Sequence, residues 1–590
     1  MSKTESPAWR TTLHALSFLK WIRRRVRASE AAFIVLATLV GAGAGLLSVL
    51  QGAIARTLQH VLFGLSSAGR LSALPALPAG ALVVLPIGGV VLAAFSLAVR
   101  SRKRRMVDAV EANALHGGRM SVSDSLVISV QTMLSNGFGA SVGLEAAYAQ
   151  LGGAIGSVAG RVFNLRRADL RNLVGAGTGA AIAAAFGAPL AGAFYAFEIV
   201  IGAYTPTALA PVVAAALAGT LVAQLLGIQP YVIDSVSTMP TETHHYLIYA
   251  GLGALCAGIG IVLMRAVALV ETASRRAKLP EWSRPTIGGL LLIPIALVSP
   301  QVLSAGHGAL HADLALGASL AFIAMIFLAK CAASIVSLGF GFRGGLFFAS
   351  LFLGTLVGHL FAGSLAALAG QDVVDPRNAA LVGMAALAVA VVGGPMTMAM
   401  LVLEATHDFA LTGAVLAAAL VSSTIVRETF GYSFSTWRLH LRGETIKSAR
   451  DVGWVKTLTA GRMMRRDAKP LPAGIMIAEF RRRVPLGATS RTVLIDGEDR
   501  YAGIVQTPTA YAEGLDPQSP VGPLAINIDS ALTPTMDIAE IMRRFDASGA
   551  DELAVLDDDR RVLGILSESF VRRRYAEELE KAQRDLFGER

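Results

Sequence analysis

Long apolar runs dominate the chain from Ala31 to Gly443. About twenty apolar residues in a helix span the hydrocarbon core of a bilayer. Helices that are broken at membrane depth are tolerated only where they are buried in protein or line a cavity. The pattern therefore predicts a polytopic, all-α membrane domain with re-entrant segments and ten or more apolar runs, several of them interrupted by Gly or Pro: Ala31–Leu50, Ala81–Val99, Val174–Gly202, Ala208–Leu226, Leu247–Val270, Thr286–Val298, Leu314–Leu338, Leu346–Leu368, Ala379–Leu403 and Leu411–Val426.

Two stretches of this apolar region repeat one another at an offset of 202 residues, the difference between positions 345 and 143. Gly143–Gly152 matches Gly345–Gly354, and further along each half Ala188–Glu198 matches Gly394–Glu404 with nine residues from Pro to Glu. Repeats in the same order inside apolar segments indicate a membrane protein of two homologous halves, with the substrate site where the halves meet. Glu145 is a candidate site residue, because the other repeat has no ionisable group at the matching position.

A different pattern begins near Ser448 and continues to Arg590, where charged residues alternate with short strand-like runs. This part has its own repeat, in which Val493–Asp496 and Gly503–Val505 recur as Ala554–Asp557 and Gly564–Leu566. Each unit reads as strand, acidic turn and strand, preceded by a helix such as the one expected over residues 538–545. The sequence therefore predicts a membrane domain over residues 31–443 and a small α/β domain over residues 448–590.

Composition and charge agree with a membrane protein. Hydrophobic residues make up 54% of the chain, charged residues 16%, and glycine occurs 60 times, as expected for closely packed membrane helices. The net charge is +10, and the loop 229–245 has no Lys or Arg. The positive-inside rule then places this loop outside and both termini, including the amphipathic segment 1–30, in the cytoplasm. Basic clusters tied to membrane spans serve orientation and lipid contact, which argues against nucleic-acid binding; they lie at 23–27, 102–105, 166–167 and 275–276.

Other classes of protein find little support. The two cysteines, Cys256 and Cys331, lie in apolar runs and exclude a disulfide framework. Thr11–Arg27 is basic and lacks a small-residue cleavage site, so no cleavable signal is expected. An enzyme is not indicated, because His244 and His245 lack further metal ligands nearby. A magnesium transporter is disfavoured by the scarcity of carboxylates in the apolar region, since a hard cation requires oxygen ligands.

The membrane domain resembles the CLC family of chloride channels and proton-coupled chloride antiporters. Four blocks carry the resemblance: Gly143–Gly152, Ala185–Glu198, Gly345–Ala349 and Gly394–Glu404. The resemblance implies an inverted repeat of two helical halves in each subunit of a homodimer. It also implies an anion site made by helices that begin at membrane depth, because their free N–H groups and dipoles stabilise a dehydrated halide. The Ala/Gly-rich runs 208–226 and 411–426 are the expected dimer seam.

The resemblance also assigns residues to the anion pathway. Glu145 is the expected gate, and the amides of Ala146, Ala147, Leu346 and Phe347 are expected to hold anions. A charge at membrane depth is a functional candidate by default, although the alternative of a simple helix cap exists.

Two pathway positions stay open. The family's inner-site Ser falls near Arg104, Arg105 and Met106, where an Arg could attract anions or serve orientation alone. The family's pore-lining Tyr falls near Tyr432, whereas counting back from Gly443 places Ser435 there.

Channels and antiporters of the family differ most clearly at the position that Ile199 occupies in this chain. Antiporters of the family have a proton-delivering Glu directly after the residue matched by Glu198, whereas channels have an apolar residue there. With Ile199 at this position, the sequence favours a gated chloride channel, opened by voltage or pH. The alternative is a proton/chloride antiporter with a non-standard internal proton route. Glu198 and Glu404 are expected to be structural acceptors, because carboxylates inside a membrane need partners.

The 448–590 region resembles a tandem pair of CBS domains, modules that dimerise and often bind adenine nucleotides. The family's ribose-binding Asp is replaced by Phe570, three residues after Ser567, and the first repeat has Gln506 and Thr509 at these positions. These departures argue against nucleotide binding and favour a structural or dimerising role. The expected partners are therefore chloride or other small anions, membrane lipid and a second copy of the chain, with no resident cofactor.

Overall fold

The computed structural model describes residues 21, 23–66, 69–99, 106–228, 242–277, 279–310, 318–441 and 458–587. The chain divides into two compact units, Met1–Asp451 and Val452–Arg590. Each unit is described by itself below. The predicted inner-site residues Arg104 and Arg105 lie outside the described residues.

The described part of the first unit is helical. Its helices, in chain order, are α1 (Glu30–Phe63), α2 (Val84–Val99), α3 (Ala109–Leu115), α4 (Val122–Gly137), α5 (Glu145–Val162), α6 (Arg167–Phe186), α7 (Pro189–Tyr195), α8 (Pro206–Leu225), α9 (His245–Arg276), α10 (Arg284–Val298), α11 (Leu320–Gly339), α12 (Phe347–Ala369), α13 (Pro376–Val392), α14 (Pro395–Thr406), α15 (Phe409–Thr429) and α16 (Phe434–His440).

Seven helical segments of the described residues are long and apolar enough to cross a membrane, and four shorter apolar helical segments accompany them. The predicted run 174–202 is not one element, because it breaks at Gly187, which has a φ of 66° and precedes Pro189 at the start of α7. The run 379–403 breaks in the same way at Gly393 and Gly394, before Pro395 opens α14. Glycine accepts positive φ and Pro suits the first helical turn, so both sequences end one helix and begin another.

Paired glycines allow two sets of helices to approach closely, one in each half. Gly152 of α5 faces Gly177 of α6, and a Cβ on either residue would clash with the backbone oxygen of the other. Gly354 of α12 and Gly383 of α13 have the same relation in the second half. The glycines that end the two matched sequence blocks therefore have the same packing role in both halves. Close backbone approach replaces hydrophobic drive between helices in a membrane.

The second unit contains short strands and helices: β1 (Leu471–Pro472), β2 (Arg491–Ile495), β3 (Tyr501–Gln506), β4 (Glu552–Leu556) and β5 (Val562–Ser567), with α17 (Ala460–Met463), α18 (Ile477–Arg483), α19 (Ile538–Ser548) and α20 (Glu568–Phe587). Strand β2 pairs with β1 in parallel and with β3 in antiparallel fashion, and β4 pairs antiparallel with β5. The two hairpins have equivalent registers, since Leu494 pairs with Gly503 and Val555 with Gly564. The predicted strand-turn-strand repeat is present, and the fold is a helical membrane domain with a small α/β domain.

The acidic turns of the two hairpins also match. The Asp496 carboxylate accepts the N–H groups of Glu498 and Arg500, and Asp557 accepts those of Asp559 and Arg561. The N–H of Arg500, followed by that of Glu498, lowers the pKa of Asp496. An aspartate that bonds to the backbone two residues on fixes a tight turn, which explains why both repeats place Asp after the first strand.

Candidate functional site

The two halves of the first unit meet where two helices begin. Helix α5 begins at Glu145 and α12 begins at Phe347. The loops before them pair with each other, because the N–H of Gly143 donates to the Gly345 carbonyl at 3.0 Å and the reverse bond measures 3.3 Å. The first N–H groups of a helix have no intrahelical acceptor. The pairing thus brings two sets of free donors and two positive helix ends to one place.

The side chain of Glu145 occupies this place. It is 4% exposed, and its Oε1 accepts the N–H of Phe348, at the second position of α12, at 3.1 Å. Its Oε2 is buried without a hydrogen-bond partner among the described atoms. The carboxylate of one half therefore accepts a hydrogen bond from the helix start of the other half.

Small residues around Glu145 make room for the carboxylate. A Cβ on Gly143 would overlap both carboxylate oxygens, and a Cβ on Gly345 would lie 3.2 Å from Oε2. Neither glycine has a positive φ. These two glycines are needed for space and for backbone pairing, since a side chain at either position would crowd the carboxylate.

A buried lysine and a polar network support the loop before Glu145. Lys330 of α11 is 0% exposed, and its Nζ donates to the carbonyls of Val302 and Ser304 at 3.1 and 2.8 Å. Asn136 of α4 donates from Nδ2 to the Val142 carbonyl at 2.7 Å and to the Ser304 hydroxyl at 3.1 Å. A buried amine needs hydrogen-bond partners, and the two carbonyls supply them. The sequence analysis missed Lys330, whose position within an apolar run is the signal that could have identified it.

Two cavities flank Glu145, because Leu144 lines one and Ala146 the other. The Arg56 cavity, of about 170 Å³, is lined by Arg56, Arg70, Tyr148 and His307 besides Leu144. The Arg343 cavity, of about 120 Å³, is lined by Ala146 and Gly345. It is also lined by Met106, Asp108, Arg343, Ser435 and Arg438. Glu145 therefore lies between two cavities of the first unit.

The other predicted anion-binding residues lie in different surroundings, and only some of them line a cavity. Ala146 and Met106 line the Arg343 cavity. The N–H of Ala147 donates instead to the Leu144 carbonyl at 2.8 Å, so this amide is already used. Leu346 is buried, and the ring of Phe347 packs edge-on against Phe186 at 5.2 Å between centroids. Phe348, which the sequence analysis did not select, supplies the N–H that holds Glu145. As the second residue of α12 it belongs to the first turn, where free N–H groups are expected.

Tyr432 precedes α16 and packs against its side chains. Its hydroxyl lies 3.1 Å from Nδ1 of His440, and its ring stacks on His440 at 4.5 Å between centroids. It lines a third cavity, the Glu198 cavity, together with Glu198, Ile199 and Arg427. Ser435 lines both this cavity and the Arg343 cavity. Tyr432 and Ser435 thus share the Glu198 cavity, and both registers considered from the sequence stay predictions.

Glu198 and Glu404 join the two halves through a reciprocal exchange. Glu198 accepts the N–H groups of Met396 and Thr397, at the start of α14, at 3.1 and 2.9 Å. Glu404 accepts those of Leu190 and Ala191, at the start of α7, at 2.8 and 2.9 Å. Each carboxylate thus caps a helix of the opposite half and satisfies donors that the helix itself cannot. These contacts agree with the structural role expected from the sequence.

Ile199 follows Glu198 in a turn of π-helix, Ala196–Ile201, that continues α7. Its side chain is 9% exposed and lines the Glu198 cavity. Single π-turns are frequent at functional sites. In this chain the turn presents an apolar side chain to the cavity.

The fold is that of a multi-pass membrane protein made of two helical halves, whose helix starts meet at Glu145. Residues 84–427 match the family model described as "Voltage gated chloride channel". The chain belongs to this family, the CLC family of anion channels and transporters. It is similar to the "Putative chloride channel protein ClcB-like" of Ralstonia nicotianae, with 30% identity over 389 residues, 64% of this chain and 89% of the relative. The "Voltage-gated ClC-type chloride channel ClcB" of Escherichia coli O157:H7 is 28% identical over 314 residues, 52% of this chain and 74% of that relative.

Solved structures share the fold at lower identity. A "slow cyanobacterial Cl-/H+ antiporter" gives a TM-score of 0.59 at 22% identity and covers 70% of this chain and 97% of that chain. A "CLC-type fluoride/proton antiporter" gives 0.56 at 20% identity, with 68% and 96% covered. A "eukaryotic CLC transporter" gives 0.58 at 17% identity and covers 91% of this chain and 97% of that chain.

The reciprocal exchange predicts a matched loss of stability. In Glu404→Gln one of the two N–H groups of α7 loses its acceptor, so we expect unfolding to become easier by about 2 kcal/mol, as for a hydrogen bond to a charged group. Glu198→Gln should lower the free energy of unfolding by at least as much, because Glu198 also accepts the Thr397 hydroxyl at 2.7 Å. Thermal unfolding in detergent measures this. Glu428→Gln, at a side chain that is 72% exposed, is the control, and equal melting of all three variants would contradict the exchange.

Proposed function

We propose that the protein is a gated chloride channel with Glu145 as its gate. Membership in the CLC family establishes anion transport, and the finer assignment rests on the position of one carboxylate. The Oε1 of Glu145 takes the N–H of Phe348, the donor that a dehydrated anion would use. This bond is the observation that carries the proposal.

The gate works by competition for the same donors. A charged carboxylate is attracted to the helix ends of α5 and α12, because both present partial positive charge. A protonated carboxyl lacks that attraction and leaves the amide of Phe348 to a chloride ion. A charge-assisted hydrogen bond is about twice as strong as a neutral one. The equilibrium between carboxylate and anion therefore shifts with pH and with chloride concentration.

The choice of a channel over an antiporter rests on the Glu198 cavity. Ile199 lines this cavity with a side chain that has no proton to transfer. The neighbouring Glu198 carboxylate has three donors at the start of α14. A carboxylate held in this way is a structural acceptor and a poor proton carrier.

Proton-coupled chloride exchange is the competing candidate. Two of the solved structures with this fold are named as antiporters, one for chloride and one for fluoride. In the present chain the exchange would need a proton route that bypasses Ile199.

Substitution of the gate tests the proposal directly. Wild-type chloride efflux from liposomes should rise as external pH falls, because protonation removes the carboxylate from the amide of Phe348. Glu145→Gln should be faster than the wild type at neutral pH and should have lost the pH response, since a neutral amide has no net attraction to the helix ends. Glu428→Gln should behave like the wild type. A Glu145→Gln profile that still follows pH would remove Glu145 from gating and leave it as a helix cap.

Proton coupling distinguishes channel from antiporter. With Ile199 in the Glu198 cavity, a chloride gradient imposed on liposomes should drive no uphill proton movement. A pH-sensitive dye inside the vesicles measures this while a chloride electrode records efflux. Proton movement in fixed ratio to chloride would overturn the channel and support the exchanger.

We also propose a homodimer with both termini in the cytoplasm, in which the second unit has a structural role as a CBS pair. Exposed leucines on α8, namely Leu209, Leu217, Leu221 and Leu225, support this helix as part of the dimer seam. The surface formed by Ser567, Phe570 and Arg573 in the second unit has an aromatic ring where the CBS resemblance requires a ribose-binding Asp. The basic N-terminal cluster and the charged second unit support the cytoplasmic placement.

Light scattering and calorimetry test the assembly. Full-length protein in detergent should have the mass of two chains, and ATP or AMP should give no heat of binding at micromolar concentration. Binding with micromolar affinity would instead indicate regulation by nucleotides.

A further inference from the structure

The Arg56 cavity is lined by two guanidinium groups that the proposed gate does not use. Arg56 lies on α1 and Arg70 lies between α1 and α2, and both line this cavity of about 170 Å³. Both arginines are exposed. Neither guanidinium has a hydrogen-bond or ion-pair partner among the described residues. Both charges are therefore available to a ligand that enters from solvent.

One face of α1 forms a wall of the cavity. The residues of α1 that follow one another along this wall at intervals of four, four and three are Ser48, Gly52, Arg56 and Gln59. Residues three or four apart lie on the same face of a helix. A Cβ on Gly52 would lie 3.2 Å from the hydroxyl of Tyr148 across the cavity wall. The helix thus places Arg56 on the face that meets the cavity.

Three hydroxyl groups add neutral donors to the same cavity. The Ser304 hydroxyl accepts Nε2 of Gln59 at 3.0 Å and Nδ2 of Asn136 at 3.1 Å. A hydroxyl has two acceptor lone pairs and one proton, so both lone pairs of Ser304 are used and its proton is not. The Ser72 hydroxyl accepts a backbone N–H at 3.0 Å and also keeps its proton. Neither of these two protons nor that of Tyr148 has an acceptor in the part of the chain that the structure describes.

The charge of the cavity is not balanced by its own lining. Among the described residues that line it, none is an Asp or a Glu. Two positive charges attract anions, and cavity walls of low dielectric strengthen the attraction. A monovalent ion would neutralise one of the two charges, whereas a dianion neutralises both. The electrostatics therefore favour a doubly charged ligand.

The donors favour an oxyanion over a halide. A guanidinium presents parallel N–H groups that match two oxygens of one ion. A tetrahedral oxyanion has enough oxygens to accept from both guanidinium groups and from hydroxyls at the same time. A water molecule takes about 30 Å³ of liquid volume, so a cavity of about 170 Å³ has room for an ion of this size.

We propose that Arg56 and Arg70 form a binding site for a tetrahedral dianion of the sulfate or phosphate type, which blocks the entry of chloride from this side. The ion is held in the cavity because removal of a double charge from water costs more than removal of a single one. Leu144, directly before Glu145, lines the same cavity, so a bound dianion lies between solvent and the gate. The effect on flux rests on the proposed channel, whereas the binding of the dianion does not.

Chloride efflux from liposomes with sulfate on both faces of the membrane tests the block. At constant ionic strength sulfate should slow wild-type efflux. Arg56→Gln and Arg70→Gln should each raise the sulfate concentration for half inhibition about tenfold, as for the loss of a hydrogen bond between charged groups. Arg427→Gln, which removes a positive charge at a side chain that is 71% exposed and lines the Glu198 cavity, should be inhibited like the wild type.

Two further comparisons define the ligand. Methanesulfonate, which carries a single charge, should inhibit more weakly than sulfate. Phosphatidic acid presents a phosphate of similar chemistry from the bilayer, so vesicles with this lipid and without sulfate are compared with vesicles that lack both. Inhibition by the lipid but not by sulfate would overturn the proposal of a soluble ligand.

Glu145→Gln separates the dianion site from the gate. Because the arginines hold the dianion, this variant should keep the sulfate concentration for half inhibition that the wild type has. Loss of the sulfate effect together with the Glu145 carboxylate would place the action of sulfate at the helix starts and overturn the proposed site.

Calorimetry of sulfate with the full-length protein in detergent measures binding without transport. The wild type should bind sulfate more tightly than Arg56→Gln and Arg70→Gln do, and Arg427→Gln should match the wild type. The proposal is overturned when both cavity variants keep the wild-type affinity for sulfate. Absence of chloride efflux from the wild type would refute the proposed channel, whereas the calorimetric comparison would still decide for or against the site.

Discussion

The architecture of the membrane unit depends on one electrostatic constraint: two helices begin where the halves meet and bring their free N–H groups together. The backbone pairing of Gly143 with Gly345 enforces this meeting. Positive helix ends cannot face each other in a medium of low dielectric without an anion to share. Glu145 supplies that anion from within the chain, and in the proposed gate a halide takes its place. The glycines at 143 and 345 and the polar network at Asn136 serve to hold this arrangement.

The two halves show which features a duplicated unit keeps and which it can lose. Both keep a close glycine contact between their helices, at Gly152 with Gly177 and at Gly354 with Gly383. Both also keep a carboxylate that caps a helix of the other half. They differ at the helix start itself, where Glu145 of α5 corresponds to Phe347 of α12. The glycine contacts and the capping carboxylates, which both halves share, maintain the packing. The difference between Glu145 and Phe347 lies at the site of the proposed gate.

The helices of the membrane unit and its two-half architecture could be predicted from the sequence, because apolar runs, Gly-Pro breaks and the repeat depend on local sequence. The starts of α5 and α12 followed from the paired Gly-Leu blocks, and the second unit followed from its repeated Asp turns. The role of Phe348 was missed because backbone amides have no sequence signature. Lys330 was missed because its hydrogen-bond partners are backbone carbonyls, those of Val302 and Ser304, which no pattern of side chains marks in the sequence. The choice between Tyr432 and Ser435 could not be made by counting along the chain, because it depends on tertiary contacts such as that of Tyr432 with His440.

The reciprocal caps at Glu198 and Glu404 have a consequence for how fast the protein can work. Because each half anchors a helix of the other, the halves cannot rock apart without breaking four or more charge-assisted bonds at once. Collective movements of that kind take microseconds to milliseconds, whereas the rotation of a side chain takes picoseconds to nanoseconds. In the proposed gate the moving part is a single carboxylate on a rigid frame. Throughput would then be set by the arrival and departure of ions and protons rather than by a change in the shape of the protein.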